Sequence, residues 1–240
     1  MNLKEQAAHR AVDLVHDGMT VGLGTGSTAA LIVREIGIRL RDGRLSGIVG
    51  VPTSEATARA ANDAGIPLTP LEFNMQIDLT LDGADEVDPA WNLIKGHGGS
   101  LLREKIVAQA SKAEVIVVDE SKLVERLGQK KALPVEIVRF GWRTHLDFFR
   151  SMGGDPRLRL LPEGTPFITD EDNYTVDVAF PALDESSPLA DPHQLQQTLR
   201  SRTGVIETGL FLQLTSALVV GRQAGVEILE RATGLMNGGG

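Results

Sequence analysis

The chain has 240 residues, 42% of them hydrophobic, carries a formal net charge of −8 at pH 7 and contains no cysteine. This length and apolar content allow one sizeable core or a main domain with a smaller one. The lack of cysteine excludes disulfides, thiolate catalysis and cysteine-ligated metal sites. The acidic balance argues against general binding to nucleic acid or acidic membranes, which require a basic face on the protein.

Membrane and export signals are missing from the pattern. No apolar run approaches the roughly 20 residues of a membrane-spanning helix. The first ten residues, MNLKEQAAHR, are typical of a charged helix start rather than of a secretory signal. We therefore expect a cytoplasmic protein with no membrane or nucleic-acid partner.

The first half of the chain alternates between helical and strand-like patterns. Helices are predicted over about residues 3–15, 28–40, 54–65 and 101–111, and strands over about residues 20–24, 47–54, 77–83 and 113–119. The last of these strands, AEVIVVD, is typical of a strand covered on both faces. The alternation predicts an α/β fold built on a Rossmann-like parallel sheet.

The order of predicted helices and strands changes from Pro134 onward. PVEIVRF predicts a strand and WRTHLDFFRSM a helix. PRLRL and FITDEDNYTVDVAF, which has a turn at EDN, predict three short strands. DPHQLQQTLRS then predicts a helix and GVIETGLF a strand. This β-α-β-β-α-β order is the ferredoxin-like split unit. We assign the next apolar run, TSALVVG, to the first sheet. The prediction is an α/β domain, residues 1–133 and 209–240, interrupted by a small α+β (ferredoxin-like) domain, residues 134–208.

A glycine-rich turn, GLGTGST, stands between a predicted strand and a predicted helix. Such a turn exposes backbone N–H groups beside a helix N-terminus and suits a phosphate. It does not fit the dinucleotide fingerprint, because Ser27 stands where the third glycine belongs, and it lacks the lysine of a Walker loop. The alternative is a tight turn in which Ser27 or Thr28 only caps the helix.

A cluster of acidic residues, LDGADEVD, lies at the end of the strand predicted over residues 77–83. Ligands of open α/β sheets bind at the carboxyl ends of strands, so we expect Asp82 and Asp85 to accept hydrogen bonds from substrate hydroxyls. A metal site is the weaker alternative, since the spacing does not match a calcium loop. Glu86 and Asp88 are interpreted as a solvated turn before Pro89.

The third cluster is LIKGHGGSLLREK. Ser100 is placed to cap the following helix, which puts Glu104 about one turn beyond the cap. Glu104 is not explained as a capping-box partner, because Arg103 holds that position. Arg103 and Lys105 are interpreted as solvated helix charges, and His97 as a loop residue rather than a group that supports the site.

These clusters together supply a phosphate cradle, two hydroxyl-reading aspartates, a lysine and a glutamate near a helix start. Proton abstraction next to a carbonyl needs a carboxylate base and a group that holds the enediolate oxygen. Glu104 and Lys95 can fill those roles, so the inventory favours a sugar phosphate that undergoes proton transfer.

Six blocks, in order from about residue 20 to 137, resemble ribose-5-phosphate isomerase, type A: VGLGTGSTA, VPTSEAT, LDGADEVD, LIKGHGGSLLREKIVA, VVDESKLVERLG and LPVEI. The later ITDEDNYTVDV and GVIETGLF are also similar to the family. The resemblance implies interconversion of D-ribose 5-phosphate and D-ribulose 5-phosphate in the non-oxidative pentose phosphate pathway, with no metal and no organic cofactor. It also implies an α/β domain with a smaller ferredoxin-like one.

Carried over by motif, the resemblance implies that Glu104 is the general base and that Lys95 stabilises developing negative charge. Asp82 and Asp85 contact hydroxyls and the ring oxygen and assist ring opening. The substrate-binding positions that it implies are Thr25, Gly26, Ser27, Thr28, Gly83, Ala84, Gly96, His97, Gly98 and Lys122. Ser27 and Thr28 are favoured for the phosphate. Lys4 can also reach the phosphate, although a lone N-terminal lysine is usually solvated.

One position departs from the family pattern, where glycine is expected at His97. An imidazole there can add a pH-dependent contact, and catalysis should survive because the base, the aspartates and the lysine are present. The rival hypotheses are a sugar-phosphate deaminase, a coenzyme A transferase and a non-enzymatic sugar-phosphate sensor, of which only the sensor binds without turnover. A homodimer or homotetramer is the expected assembly.

Overall fold

A computed structural model describes residues 2–72, 76–181 and 185–231 of the chain. The helices in this part are α1 (Leu3–Val12), α2 (Ser27–Arg41), α3 (Glu55–Asp63), α4 (Leu101–Gln109), α5 (Arg143–Ser151) and α6 (Pro192–Arg200), with short 3₁₀ turns at Glu120–Lys122 and Pro188–Ala190. The strands are β1 (Thr20–Leu23), β2 (Val49–Pro52), β3 (Leu79–Asp82), β4 (Glu86–Val87), β5 (Leu93–Ile94), β6 (Glu114–Asp119), β7 (Leu133–Ile137), β8 (Asp155–Leu158), β9 (Tyr174–Ala179), β10 (Val205–Thr208), β11 (Leu210–Phe211), β12 (Ala217–Arg222) and β13 (Gly225–Glu230).

Contacts divide the described residues into two compact units. Of the described residues, the first unit takes 2–72, 76–84, 103–122 and 214–231, and the second takes 85–102, 123–181 and 185–213. Residues 85–102 and 123–133, expected in the α/β domain, group by contacts with the second unit. The short strands β4 and β5 explain part of this grouping, because they form an antiparallel sheet with β11 of that unit. The predicted domain boundaries themselves stay a prediction.

The first unit contains a six-stranded sheet in the order β13-β12-β6-β3-β1-β2. All neighbours are parallel except β13, which runs antiparallel to β12 at one edge. The predicted α/β parallel sheet is therefore confirmed, and so is the return of β12 to it. Chain order reverses between β1 and β3, and open α/β sheets bind ligands at such a switch point, outside the carboxyl ends of the strands.

The alternation of side chains along β1 shows how both faces of this sheet are covered. Val21 and Leu23 are buried in the core to which α1, α2 and α3 contribute. Gly22, between them, faces the other way, where a Cβ would lie 2.8 Å from Val107 of α4. A strand buried on both faces has a continuous apolar sequence, and the sequence of β6 predicted burial of this kind.

The second unit contains a four-stranded antiparallel sheet in the order β10-β7-β9-β8. Helices α5 and α6 bury Phe149, Leu195 and Leu199 in the core beside it. Numbered along the split unit, this order is 4-1-3-2, so the predicted ferredoxin-like topology is confirmed.

Two details of that prediction were wrong. The expected strand at the start of FITDEDNYTVDVAF is reduced to isolated bridges, Leu160 with Pro166 and Ile168 with Tyr174, since a proline has no N–H to donate to a ladder. GVIETGLF forms two strands rather than one, β10 and β11, which belong to different sheets.

The described part of the chain contains no helix with both the length and the apolar character to cross a membrane. Within residues 2–72, 76–181 and 185–231 there is also no group of three or more His, Asp or Glu side chains arranged to hold a metal ion.

Candidate active site

Three predicted site segments follow adjacent strands of the parallel sheet. The glycine loop follows β1, Asp82 ends β3, and Lys122 closes the 3₁₀ turn after β6. Because parallel strands place their carboxyl ends at one edge of the sheet, these segments lie side by side at the position that the topology favours for a ligand.

Asp82 is buried, with 1% of its surface exposed. Its Oδ1 accepts hydrogen bonds from the backbone N–H groups of Thr25, at 3.2 Å, and Gly83, at 2.7 Å. A Cβ built on Gly24 would lie 2.1 Å from that oxygen. The carboxylate and the glycine loop therefore form one hydrogen-bonded unit, and Gly24 supplies the space for it.

The hydroxyl of Thr25 lies in a cluster of other hydroxyls rather than in open solvent. It donates to Ser54 Oγ at 2.9 Å and lies 2.7 Å from Thr53 Oγ1 and 3.2 Å from Thr57 Oγ1. Thr57 Oγ1 in turn donates to the carbonyl of Gly24 at 2.8 Å. The VPTSEAT segment thus fixes the position of the glycine loop through these hydrogen bonds.

Helix α2 begins at Ser27, after Gly26 as its N-cap with φ +99°. Ser27 is therefore not the capping residue that the alternative interpretation required. Its exposed Oγ accepts a hydrogen bond from Lys4 Nζ at 3.0 Å. Thr28 lies beside Gly83, where an added Cβ would be 3.3 Å from the Thr28 Cβ. A lysine ammonium and a helix N-terminus thus meet at the loop, which suits an anion.

Lys4 and Lys122 both act on Asp119, at the end of β6. Burial would raise the pKa of Asp119, but the hydrogen bonds from Ser121 and the positive charges of Lys122 and Lys4 together bring that pKa below its usual value. Positive charge therefore gathers at this edge of a protein that is acidic as a whole.

Glu104 lies in the first turn of α4, and only 3% of its surface is exposed. The preceding residue, Arg103, forms an ion pair with Glu55 at 2.9 Å. The interpretation of Lys105 as a solvated charge was wrong, because Lys105 is also only 3% exposed.

In the second unit, Lys95 is buried directly after β5. Its N–H donates to the carbonyl of Gly209 at 2.9 Å. Its ammonium lies 5.3 Å from the ring centroid of Phe211, within the range of a cation–π interaction. The side chain is thus held by packing rather than free to move in water.

Asp85, half-buried, is tied to the loop that follows Lys95. Its Oδ2 accepts a hydrogen bond from the N–H of His97 at 3.1 Å. The His97 imidazole is turned to the carbonyl of Ala132, with Nε2 at 3.0 Å. The contact that links the two predicted residues is therefore made by the His97 backbone and not by its side chain. Gly98, next in the loop, is exposed.

The interpretation of Glu86 as part of a solvated turn was wrong, whereas Asp88 is partly exposed and does form a turn. Glu86 is fully buried and accepts the N–H groups of Gly128, Lys130 and Lys131 at 2.5 to 2.7 Å. Asp88 closes a turn by accepting hydrogen bonds from Asn92 N–H and Nδ2 at 2.8 and 3.0 Å. Both carboxylates hold loops of the second unit in place.

The family model for ribose 5-phosphate isomerase A (phosphoriboisomerase A) matches residues 49–225. The chain belongs to the ribose 5-phosphate isomerase A family. It is 50% identical to ribose-5-phosphate isomerase A of Chloroflexus aurantiacus over 224 residues, which are 93% of this chain and 91% of that protein.

Solved structures of the ribose 5-phosphate isomerase A family share the fold. Ribose 5-phosphate isomerase from Plasmodium falciparum is 39% identical with a TM-score of 0.90, and the match covers 96% of this chain and 98% of that one. A D-ribose-5-phosphate isomerase in complex with phospho-erythronic acid is 38% identical with a TM-score of 0.90, covering 96% and 100%.

The segment matched by the isomerase family model includes Asp82, Asp85, Lys95, Glu104 and Lys122, whereas the glycine loop precedes it. Sequence reasoning undervalued two parts of the arrangement around that loop. Lys4 was set aside because a lone lysine has no pattern, and only the fold brings it to Ser27. The role of the VPTSEAT hydroxyls was predictable from the sequence, because several hydroxyl residues lie together between a predicted strand and a predicted helix.

Proposed function

We propose that this protein interconverts D-ribose 5-phosphate and D-ribulose 5-phosphate in the cytoplasm, as a step of the non-oxidative pentose phosphate pathway. Membership of the ribose 5-phosphate isomerase A family carries the proposal. The arrangement of Asp82, the glycine loop and Lys4 at the sheet edge supports it, because a phosphorylated polyol needs both hydroxyl acceptors and a cationic phosphate site. A relative bound to phospho-erythronic acid, by its name a phosphorylated sugar acid, adds support.

The proposed reaction is a proton transfer between neighbouring carbons of the open-chain sugar. The Glu104 carboxylate removes the proton from C2 of the aldose, and the electron pair moves through C1 to the carbonyl oxygen to form an enediolate. Return of that proton to C1, with loss of a proton from the C2 oxygen and gain of one by the C1 oxygen, yields the ketose. The burial of Glu104 in the first turn of α4 supports its role as base, because a carboxylate held in place and shielded from water is positioned for proton transfer.

Lys95 is proposed to stabilise the negative charge of the enediolate. Its burial supports this role, because a fixed cation stabilises a developing charge most where water is excluded. Asp82 and Asp85 are proposed to contact the sugar hydroxyls and ring oxygen and to assist ring opening. The backbone around them, Gly83 and Ala84 together with Gly96, His97 and Gly98, is proposed to line the substrate.

The phosphate is proposed to bind at Thr25, Gly26, Ser27 and Thr28, with Lys122 and Lys4 supplying positive charge. The hydrogen bond from Lys4 to Ser27 supports this placement, because it brings an ammonium to the loop, and Lys122 and Lys4 are among the groups that lower the pKa of Asp119. No metal and no organic cofactor enter the proposed reaction, and a symmetric homodimer or homotetramer is the proposed assembly.

Replacement of Ser27 by alanine is expected to raise KM for ribose 5-phosphate by about tenfold while kcat changes little. A hydroxyl that binds a remote phosphate equally in the ground and transition states contributes to affinity alone. Steady-state kinetics of Ser27→Ala test this, with Ser151→Ala at the end of α5 as an exposed-serine control. An unchanged KM would show that Ser27 does not contact the phosphate.

The test of the function is formation of ribulose 5-phosphate from ribose 5-phosphate by purified protein, with and without excess chelator. Turnover at the same rate in both is expected. Activity that is lost in chelator and restored by added magnesium would contradict the metal-free reaction. A folded protein that binds the sugar phosphate without converting it would be a sensor, and a protein that does not bind it would have neither function.

A further inference from the structure

The peptide unit that joins Gly96 to His97 is held on both sides by charged groups. Its carbonyl oxygen, on Gly96, accepts a hydrogen bond from Arg159 Nη1 at 2.8 Å. Its N–H, on His97, donates to Asp85 Oδ2 at 3.1 Å. One amide therefore connects the guanidinium of Arg159 to the carboxylate of Asp85.

Arg159 is fixed in its turn by an acidic partner. Asp177 of β9 accepts from Arg159 Nε at 3.0 Å and from Nη2, so the two groups form a bidentate pair, and the Arg159 side chain is only 13% exposed. Arg159 Nη1 also lies 3.3 Å from the carbonyl of His97. The fork geometry of arginine allows one side chain to hold an acid and two carbonyls together.

The loop backbone requires this kind of support. Gly96 has φ +106°, a conformation that a side chain rarely allows, and a Cβ there would lie 2.8 Å from Leu101. Glycine peptides rotate with little steric cost, so the direction of the Gly96–His97 amide must be set by its hydrogen bonds. Phe167 packs on the same loop, with its Cζ 2.3 Å from where a Cβ of Gly99 would lie, and its ring centroid is 5.9 Å from the Arg159 guanidinium.

We propose that Arg159, oriented by Asp177, is a positioning residue for Asp85. By holding the Gly96 carbonyl it keeps the His97 N–H directed at the Asp85 carboxylate, and its charge polarises that amide so that the N–H is a stronger donor. The inference rests on the proposed role of Asp85 in substrate handling. Arg159 need not touch the sugar, since it acts through a single peptide unit.

A double-mutant cycle between Arg159 and Asp85 tests this coupling. Arg159→Met keeps the aliphatic length and removes the donors, and it is expected to lower kcat by at least about tenfold, because a displaced catalytic group is costly even when the substitution is remote. In an Asp85→Ala background, where the acceptor is absent, Arg159→Met is expected to lower kcat by less than about twofold. Non-additivity of this kind is not produced by a general loss of stability.

The matched control is Arg157→Met, two residues earlier on the same stretch. The Arg157 side chain is 81% exposed and pairs with exposed Asp155 at 2.9 Å, so unchanged kinetics are expected. Thermal unfolding checks that each variant is folded. If Arg159→Met does not fold, Arg159→Gln and Asp177→Asn enter the same cycle, since both remove one charge of the pair and keep a polar side chain.

The outcomes separate the inference from the function on which it rests. Active wild-type protein, impaired Asp85→Ala and a strongly non-additive double mutant support the coupling. Additive losses, or normal kcat in folded Arg159 variants, overturn it and leave the isomerase proposal intact. Full activity of Asp85→Ala removes the role of Asp85 and the inference together, and a wild type without turnover overturns the proposed function itself.

Discussion

Replacement of Glu104 by glutamine is expected to lower kcat by about 10²–10⁴-fold, the range that a positioned general base contributes. Glutamine has the size of glutamate and can still form hydrogen bonds, but it cannot take up the C2 proton. Because the substitution leaves the glycine loop and its lysines unchanged, ribose 5-phosphate should still bind. The measurement is kcat and KM for ribulose 5-phosphate formation, with substrate binding followed separately by calorimetry.

A matched control for Glu104→Gln is the same change at Glu136 of β7. Glu136 is also buried, with 1% of its surface exposed, and burial raises the pKa of its carboxyl although Asn173 and Thr169 donate hydrogen bonds to it. A neutral amide is therefore well suited to that position, and kcat should stay close to wild type. A Glu104→Gln enzyme with near-normal kcat would remove Glu104 from the role of base.

Replacement of Gly24 by alanine is expected to lower kcat/KM by about a hundredfold, the loss that accompanies a catalytic group displaced by about 1 Å. The added methyl would lie 2.1 Å from Asp82 Oδ1 and 2.6 Å from the Asp82 Cβ. Such distances force either the glycine loop or the carboxylate to move. The hydrogen bonds from Thr25 and Gly83 to Asp82 would then be lost or distorted.

The control for Gly24→Ala is Gly43→Ala, at the end of α2. Gly43 has φ +77° and nothing within 4 Å of an added Cβ. Its substitution strains the backbone and should lower the free energy of unfolding by about 1–2 kcal/mol, with unchanged kinetics. If Gly24→Ala loses stability to the same extent but keeps its kcat/KM, the position of Asp82 does not control catalysis.

Both substitutions are at residues of motifs that the sequence analysis identified. Much of the fold was also predictable from the sequence. The helix and strand periods up to β6 predicted a parallel α/β sheet without its strand order, and the β-α-β-β-α-β order that begins with β7 predicted the ferredoxin-like topology. These signals are local, because each element must alternate its own side chains between core and solvent. The failed strand at Phe167 had the same composition cues but directly follows Pro166, which limits pairing.

Burial of individual charges was not predictable in the same way. Glu86 and Lys105 carry charges that are usually solvated, yet both are buried. The partners of Glu86 are the N–H groups of Gly128, Lys130 and Lys131, more than forty residues away along the chain. No local pattern contains such a contact, because the loop that supplies the donors is placed by packing elsewhere.

The sequence by itself determined the α/β and ferredoxin-like topologies, the candidate base, aspartates and lysine, and a resemblance that family membership confirmed. Only the tertiary structure decided how these residues are held: Asp82 by the backbone of the glycine loop, Ser27 by Lys4, and Asp85 by an amide that Arg159 orients. The physical reason is that residue type and period are properties of neighbouring positions, whereas hydrogen bonds between distant segments depend on the packing of the whole unit.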